Sequence, residues 1–357
     1  MKKVLSLLLA VCLFVTAFSV NAFAADSSAE ANANLTKEYT AIFLGQLNRG
    51  DLDGDNKVTV EEAKRYLRIA AKLDEPQTGA NYDLTGDGKI TTEDARRALR
   101  IASGLEMGAT NEEIFEYFKN ELNTVKLAQP GFERKTTSTC KSAKIAIKSN
   151  PESILDTSEV EFIDYIEDKK TLFTLMGKKA EYEELYADAL KKYEPVVSNR
   201  VVSTGSSSHY SYFPLAGRSN ACYLNYEDIK SITLKESNGQ FIITLTMNNY
   251  TYDEKNPYPA TAYEDAERLK LPYGKIFNIP QFNEAEEMDI TKVVLDKGKV
   301  VLKVDSQTGK IDDVDYFYRC SVTGVLVENV KDNKGNETVM TTTMKNVIEN
   351  QEYFKMK

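Results

Sequence analysis

The chain has 357 residues, a formal net charge of −9 and no tryptophan. An acidic balance argues against nucleic acid as a partner, and this length can bury a full hydrophobic core beside a smaller module. Its four cysteines are too few and too scattered for a disulfide framework or a metal-ligand spacing, though one bridge among Cys140, Cys222 and Cys320 is possible.

Met1–Ala24 reads as a secretory signal. Lys2-Lys3 precede an apolar run from Val4 to about Val20, and Ala22-Phe23-Ala24 is a small-x-small cleavage site. The run is short for a membrane span, so a secreted protein without a transmembrane anchor is expected, extracellular or attached to a cell surface. Cys12 lies inside the apolar run. Removing the segment takes away the two lysines and leaves −11 (−9 − 2) on the mature chain. Residues 25–40, rich in Ser, Ala and Asn at their start, are expected to be a flexible tail.

Two stretches then follow one pattern. Asp51–Glu62 reads D-L-D-G-D-N-K-V-T-V-E-E, and Asp83–Asp94 reads D-L-T-G-D-G-K-I-T-T-E-D, 32 residues later. Each places oxygen-bearing side chains at positions 1, 3, 5, 9 and 12, the arrangement by which a short loop wraps Ca²⁺, a hard cation that takes 6–8 oxygens. In the first loop the donors are Asp51, Asp53, Asp55, the carbonyl of Lys57, a water held by Thr59, and Glu62. In the second they are Asp83, Thr85, Asp87, the carbonyl of Lys89, a water at Thr91, and Asp94. Position 6 needs a positive φ, supplied by Gly88 and tolerated by Asn56. Val58 and Ile90 are expected to pair back to back.

The segments after the loops repeat as well. Ala63–Leu73 aligns with Ala95–Leu105 at the same offset. Helical spacing puts Ala63, Leu67 and Ala70, and likewise Ala95, Leu99 and Ala102, on one inward face. Arg65, Arg68, Arg97 and Arg100 are then expected to point outward as a partner-binding face. Between the loops only residues 63–82 are available, interrupted by Pro76 and Gly79, so the second loop lacks a full entering helix.

This loop-helix repeat over residues 41–106 resembles the type I dockerin module of the cellulosome and related assemblies. The resemblance implies a small all-α module with two calcium sites that docks onto a cohesin domain of a scaffold or cell-surface protein. Asn56, Glu62 and Thr85 depart from the residues the family prefers at those positions.

Beyond a short joint at Met107-Gly108-Ala109, Thr110 and Glu113 form a capping box that starts a helix with Ile114, Phe115, Phe118, Leu122 and Val125 on one stripe, ended by Pro130-Gly131. Ser138–Ile147 reads as a strand and residues 179–194 as a helix. After residue 200 strands dominate: a hairpin turning at Asn238-Gly239, an irregular stretch over 251–283, and a meander with turns at Lys297-Gly298 and Thr308-Gly309. A last strand pair is joined around Asp332–Asn336. Residues 110–357 are thus expected to be an α+β domain with helices packed on an antiparallel sheet.

No specific catalytic motif emerges there. His209 is the single histidine, and no cysteine sits at a helix start to pair with it. Ser138–Lys141 matches S-x-x-K but falls in a strand pattern, where the acylating motif needs a helix start. Tyr210, Tyr212, Tyr250, Tyr252, Tyr258, Tyr263 and Tyr273 could wall a sugar cleft, or simply pack loops and sheet edges. Three functions stay open: a calcium-dependent dockerin-like module tethering a non-catalytic binding domain, a cellulosome-associated glycoside hydrolase of polysaccharide breakdown, or calcium repeats that are purely structural.

Overall fold

The computed structural model describes residues 29–78, 80–152, 156–215, 222–258, 270–279, 288–331 and 337–357. The expected signal segment Met1–Ala24, Gly79, Tyr263 and the joint Asp332–Asn336 lie outside these. Among the described residues no helix is long and apolar enough to cross a membrane.

Helix α1 (Ala29–Leu47) runs through most of the stretch expected to be a flexible tail. Its start alternates alanine with polar residues, a composition that reads as a tail but also has high helix propensity. The far end is fastened by packing: Phe43 stacks on Tyr117 at 4.0 Å between ring centroids and meets Phe241 edge-on at 5.6 Å. Thr40 Oγ1 lies 3.2 Å from the Tyr117 hydroxyl.

The repeat helices are α2 (Val60–Ala70) and α3 (Thr92–Ala102), and among the described residues no helix lies between α2 and the second loop. Their buried sides differ from the expected ones. Glu62, Ala63, Tyr66 and Ile69 are buried on α2, and Asp94, Ala95 and Ala98 on α3. Leu67 and Leu99 instead point outward, 49% and 48% exposed. Tyr66 decides this phase: its ring packs against Tyr82 at 5.2 Å, and its hydroxyl donates to the Asn81 carbonyl at 3.0 Å. A tyrosine ring brings a large buried area to this face, and its hydroxyl keeps a partner there, which favours this phase. Ile90 is 39% exposed, Val58 is half-buried, and among the described residues no β-bridge joins the two loops.

The rest is α+β. Helix α4 (Asn111–Ala128) carries the expected Thr110–Glu113 capping box and ends with Gln129 in the left-handed region, just before Pro130. All described pairings of the sheet are antiparallel, with order β2-β1-β9-β8-β7-β5-β4, β3 against β1 and β6 against β7. The strands are β1 (Phe132–Asn150), β2 (Thr157–Glu161), β3 (Val196–Val202), β4 (Ile229–Ser237), β5 (Gln240–Met247), β6 (Tyr250–Tyr252), β7 (Asp289–Asp305), β8 (Ile311–Lys331) and β9 (Glu337–Met356).

The long strands span two cores. At one end, α1 and α4 join an aromatic core that includes Phe132, Phe213, Tyr273, Tyr316 and Phe354. At the other, helices α5 (Phe162–Asp168) and α6 (Lys179–Lys191) cover Ala143, Ile145, Ile147 and Met344. A bulge between Cys140 and Ser142 joins these regimes on β1, shifting burial from Phe132 and Cys140 to Ala143, Ile145 and Ile147.

The β4–β5 hairpin turns as expected at Asn238 and Gly239, both at positive φ. The expected turn at Lys297-Gly298 is instead a bulge inside one strand. From Asp296 to Lys299 is three steps on β7, against two from Arg319 to Phe317 on β8. Lys297 takes φ 54 and absorbs the extra residue. Gly298 is required there, because a Cβ would lie 2.7 Å from the Tyr273 ring and 2.8 Å from Met247.

Candidate metal centre

The two loops fold alike and share their main amide bonds. In the first, Asp51 accepts from the Gly54 and Asn56 amides at 2.7 and 2.8 Å, and Asp55 accepts from the Lys57 amide at 2.9 Å. In the second, Asp83 accepts from the Gly86 and Gly88 amides, both at 2.7 Å, and Asp87 from the Lys89 amide at 2.9 Å. Asn56 and Gly88 both sit at positive φ, 66° and 79°, as the pattern requires at position 6. The Gly88 amide, then those of Gly86 and Asp87, hold the Asp83 carboxyl below the usual carboxylate range against the opposing effect of desolvation.

The last carboxylate of each loop ties its two ends together while capping the following helix. Glu62 accepts from the Leu52 amide and from the Thr59 amide and hydroxyl at 2.6 and 3.0 Å. Asp94 accepts five hydrogen bonds, from the Leu84 amide, the amide and hydroxyl of Thr85, and the amide and hydroxyl of Thr91. Burial pushes the Asp94 carboxyl up, but the Thr91 and Thr85 donors outweigh it and leave the group below its ordinary range. Glu62 therefore keeps more unused acceptor capacity than Asp94.

Asp51, Asp53 and Asp55 bring one oxygen each to within 4.8 Å of one another. Three convergent carboxylates with no nitrogen or sulfur donor among them suit a hard cation in chemistry. Clusters of exposed carboxylates are also common without an ion. The second loop has Thr85 where the first has Asp53, so fewer charges converge there.

The arginines do not form one outward face. Arg68 is held by Asp74 through two bonds of 2.7 and 2.9 Å, and Arg100 by Glu106 at 2.9 Å, the same pairing one repeat later. Arg65 is half-buried. Arg97 turns inward, donating to the Leu84 and Gly108 carbonyls and lying 3.1 Å from Glu106. Buried carbonyls at the junction need donors, and a long guanidinium fork supplies several from one side chain. Arg49 makes the matching contact from the other side, donating to the Gly108 carbonyl at 3.3 Å and pairing with Glu113.

In the large domain the residues weighed for chemistry go into packing. His209 is fully buried between the rings of Phe132 and Phe213, and neither ring nitrogen has a partner among the described residues. Burial, then nearby Lys126, pushes its pKa down to about 3. Cys140, Cys222 and Cys320 are all buried, and burial raises the Cys222 thiol to about 11. Ser138–Lys141 lies in β1, as its strand pattern implied. Tyr252 and Tyr273 are buried in the core rather than lining an open wall. Sequence reasoning missed Glu121 and Lys126, both buried on α4. Glu121 falls seven residues after Ile114, on the stripe itself, a position that could have flagged it.

The chain matches no family model, no curated protein and no solved structure.

Proposed function

We propose that residues 41–106 are a dockerin-like module with two calcium sites, and that it attaches the α+β domain, acting as a non-catalytic binding domain, to a cohesin-bearing scaffold or cell surface outside the cell. What carries this reading is that two all-oxygen loops repeat the same amide bonds onto their first and fifth carboxylates. Asp51, Asp53, Asp55, the Lys57 carbonyl and Glu62 would hold one ion, and Asp83, Thr85, Asp87, the Lys89 carbonyl and Asp94 the other. Calcium supplies the positive charge that lets these carboxylates converge.

The first loop is the tighter site, with four carboxylates against three and a less committed final carboxylate. Titration calorimetry of Asp51→Ala and Asp83→Ala tests this: the first should lose the tighter site and the second the weaker. Capture of the calcium-loaded chain by a panel of cohesins, reversed by chelator, tests the attachment.

A second reading, in which the loops brace their own large domain, is favoured by the contacts of Arg49 and Arg97 with Gly108. It predicts calcium binding with no cohesin capture.

A further inference from the structure

The chain treats its sheet edges unequally. Edge strand β2 reads T-S-E-V-E and faces a register break on β1 between Ile145 and Ile147. Edge strand β4 carries Lys230, Lys235 and Glu236 and breaks register between Ile229 and Ser231. Charges and bulges of this kind keep exposed edges from pairing with another chain. β3 has neither bulge nor internal proline. Its seven residues pair with β1 in unbroken register, from Val202 opposite Phe132 to Val196 opposite Ser138, and its other edge has no partner among the described residues. It reads V-V-S-N-R-V-V, and Val196, Val197 and Val201 are 57%, 49% and 66% exposed. Its one charge, Arg200, is drawn onto Tyr212, 4.4 Å from the ring centroid and bonded to the hydroxyl.

We propose that β3 is a homodimerisation edge, to which a second copy of this chain adds its own β3 antiparallel about a two-fold axis midway between the two Asn199 residues, making one sheet continuous across both copies. The strand is its own complement. A two-fold at Asn199 sets Val196 opposite the copy's Val202, Val197 opposite Val201, and Ser198 opposite Arg200. Such symmetry is what an isologous contact demands. On one face, shared with Glu133, Lys135 and Thr137 of β1, two Val197–Val201 contacts flank an Asn199–Asn199 amide pair. No like charges stand opposite each other, so nothing in the pairing repels. Unpaired backbone donors and acceptors of the edge gain partners whichever of them point outward, since a two-fold axis can lie between opposed Asn199 residues in either antiparallel pair type. A seven-residue strand pair covers less than the roughly 1,200 Å² of a standard interface, so a Kd above about 1 μM is expected.

Sedimentation of the full mature chain from about 1 to 500 μM, a range that brackets such a Kd, should show a reversible rise from one to two chains. The double variants V197K/V201K and V197E/V201E each set like charges opposite one another and should remain monomeric at every concentration. Mixing the two variants sets each lysine against a glutamate and should restore a one-to-one dimer that weakens with salt. Both positions are exposed, so an unchanged circular dichroism melt is expected and confirms folding. A wild-type chain that stays monomeric, double variants that still dimerise, or a mixture that does not pair would each overturn the proposal.

Discussion

Glu121 is the clearest case of one residue setting a property of the whole. It is 1% exposed on α4, and its Oε1 has no partner among the described residues. Burial pushes its pKa up to about 9, so at neutral pH the folded chain holds a protonated carboxyl that the unfolded chain would release. With the folded value above the unfolded one, the native state binds the extra proton. Stability is therefore full below the unfolded pKa of about 4.5 and falls as pH rises toward 9. At pH 7 the deficit is about 3 kcal/mol. Glu121→Gln removes the titration while keeping the shape. Urea melts should show it stabilised by about that amount at pH 7 and unchanged near pH 4. Equal gains at both pH values would mean that the carboxyl stays ionised when folded. His209 acts on the acid side with the opposite sign. Its folded pKa of about 3 lies below the ordinary 6.5, so its contribution is full above 6.5 and is lost as pH falls toward 3.

Among elements, α1 does the most unexpected work. Its Phe43 is sealed between Tyr117 and Phe241, which joins the N-terminal segment to the aromatic core of the large domain. Phe43→Ala should cost about 3–5 kcal/mol, the usual penalty for deleting a buried aromatic ring. Its denaturation midpoint should fall without a change in slope; a loss under 1 kcal/mol would mean that the helix rests on the surface. How much was legible beforehand divides along the same line. Local signals were readable from the chain: both loops with their positive-φ positions, the Thr110–Glu113 box, the Asn238-Gly239 turn and the α+β class. Choices made by packing were not. The side of α2 that is buried depends on Tyr66 finding Tyr82, 16 residues away. The bulge at Lys297 looks like a hairpin turn until β8 is seen to run straight past it. Arg97 reads as a surface arginine, and only the carbonyls of Leu84 and Gly108 turn it inward.

At the scale of the molecule, the described residues form three hydrophobic clusters, and among them the one around the loops is the smallest. It comprises Ala63, Tyr66, Ile69, Tyr82, Leu84, Ala95 and Ala98, little apolar surface to oppose the mutual repulsion of the loop carboxylates. Calorimetry should resolve two transitions, the lower one from this unit. Calcium should raise it and chelator should abolish it, while the sheet domain still melts cooperatively. The two units are not independent, however. Arg49, two residues before Asp51, pairs with Glu113 in the first turn of α4. Burial favours the protonated form of Glu113, yet Arg49 and the Thr110 amide hold its carboxyl below the usual range, the mark of a bond with energetic weight. Ordering the first loop fixes Arg49, and Arg49 fixes the start of a helix that packs on the sheet. Calcium should therefore also lift the upper transition by about 2–4 °C, the response of a domain this size to roughly 1 kcal/mol. In Arg49→Ala the lower transition should still respond to calcium, whereas the upper one should not. An upper transition that rises equally in both proteins would mean that α1, through Phe43, transmits the effect instead.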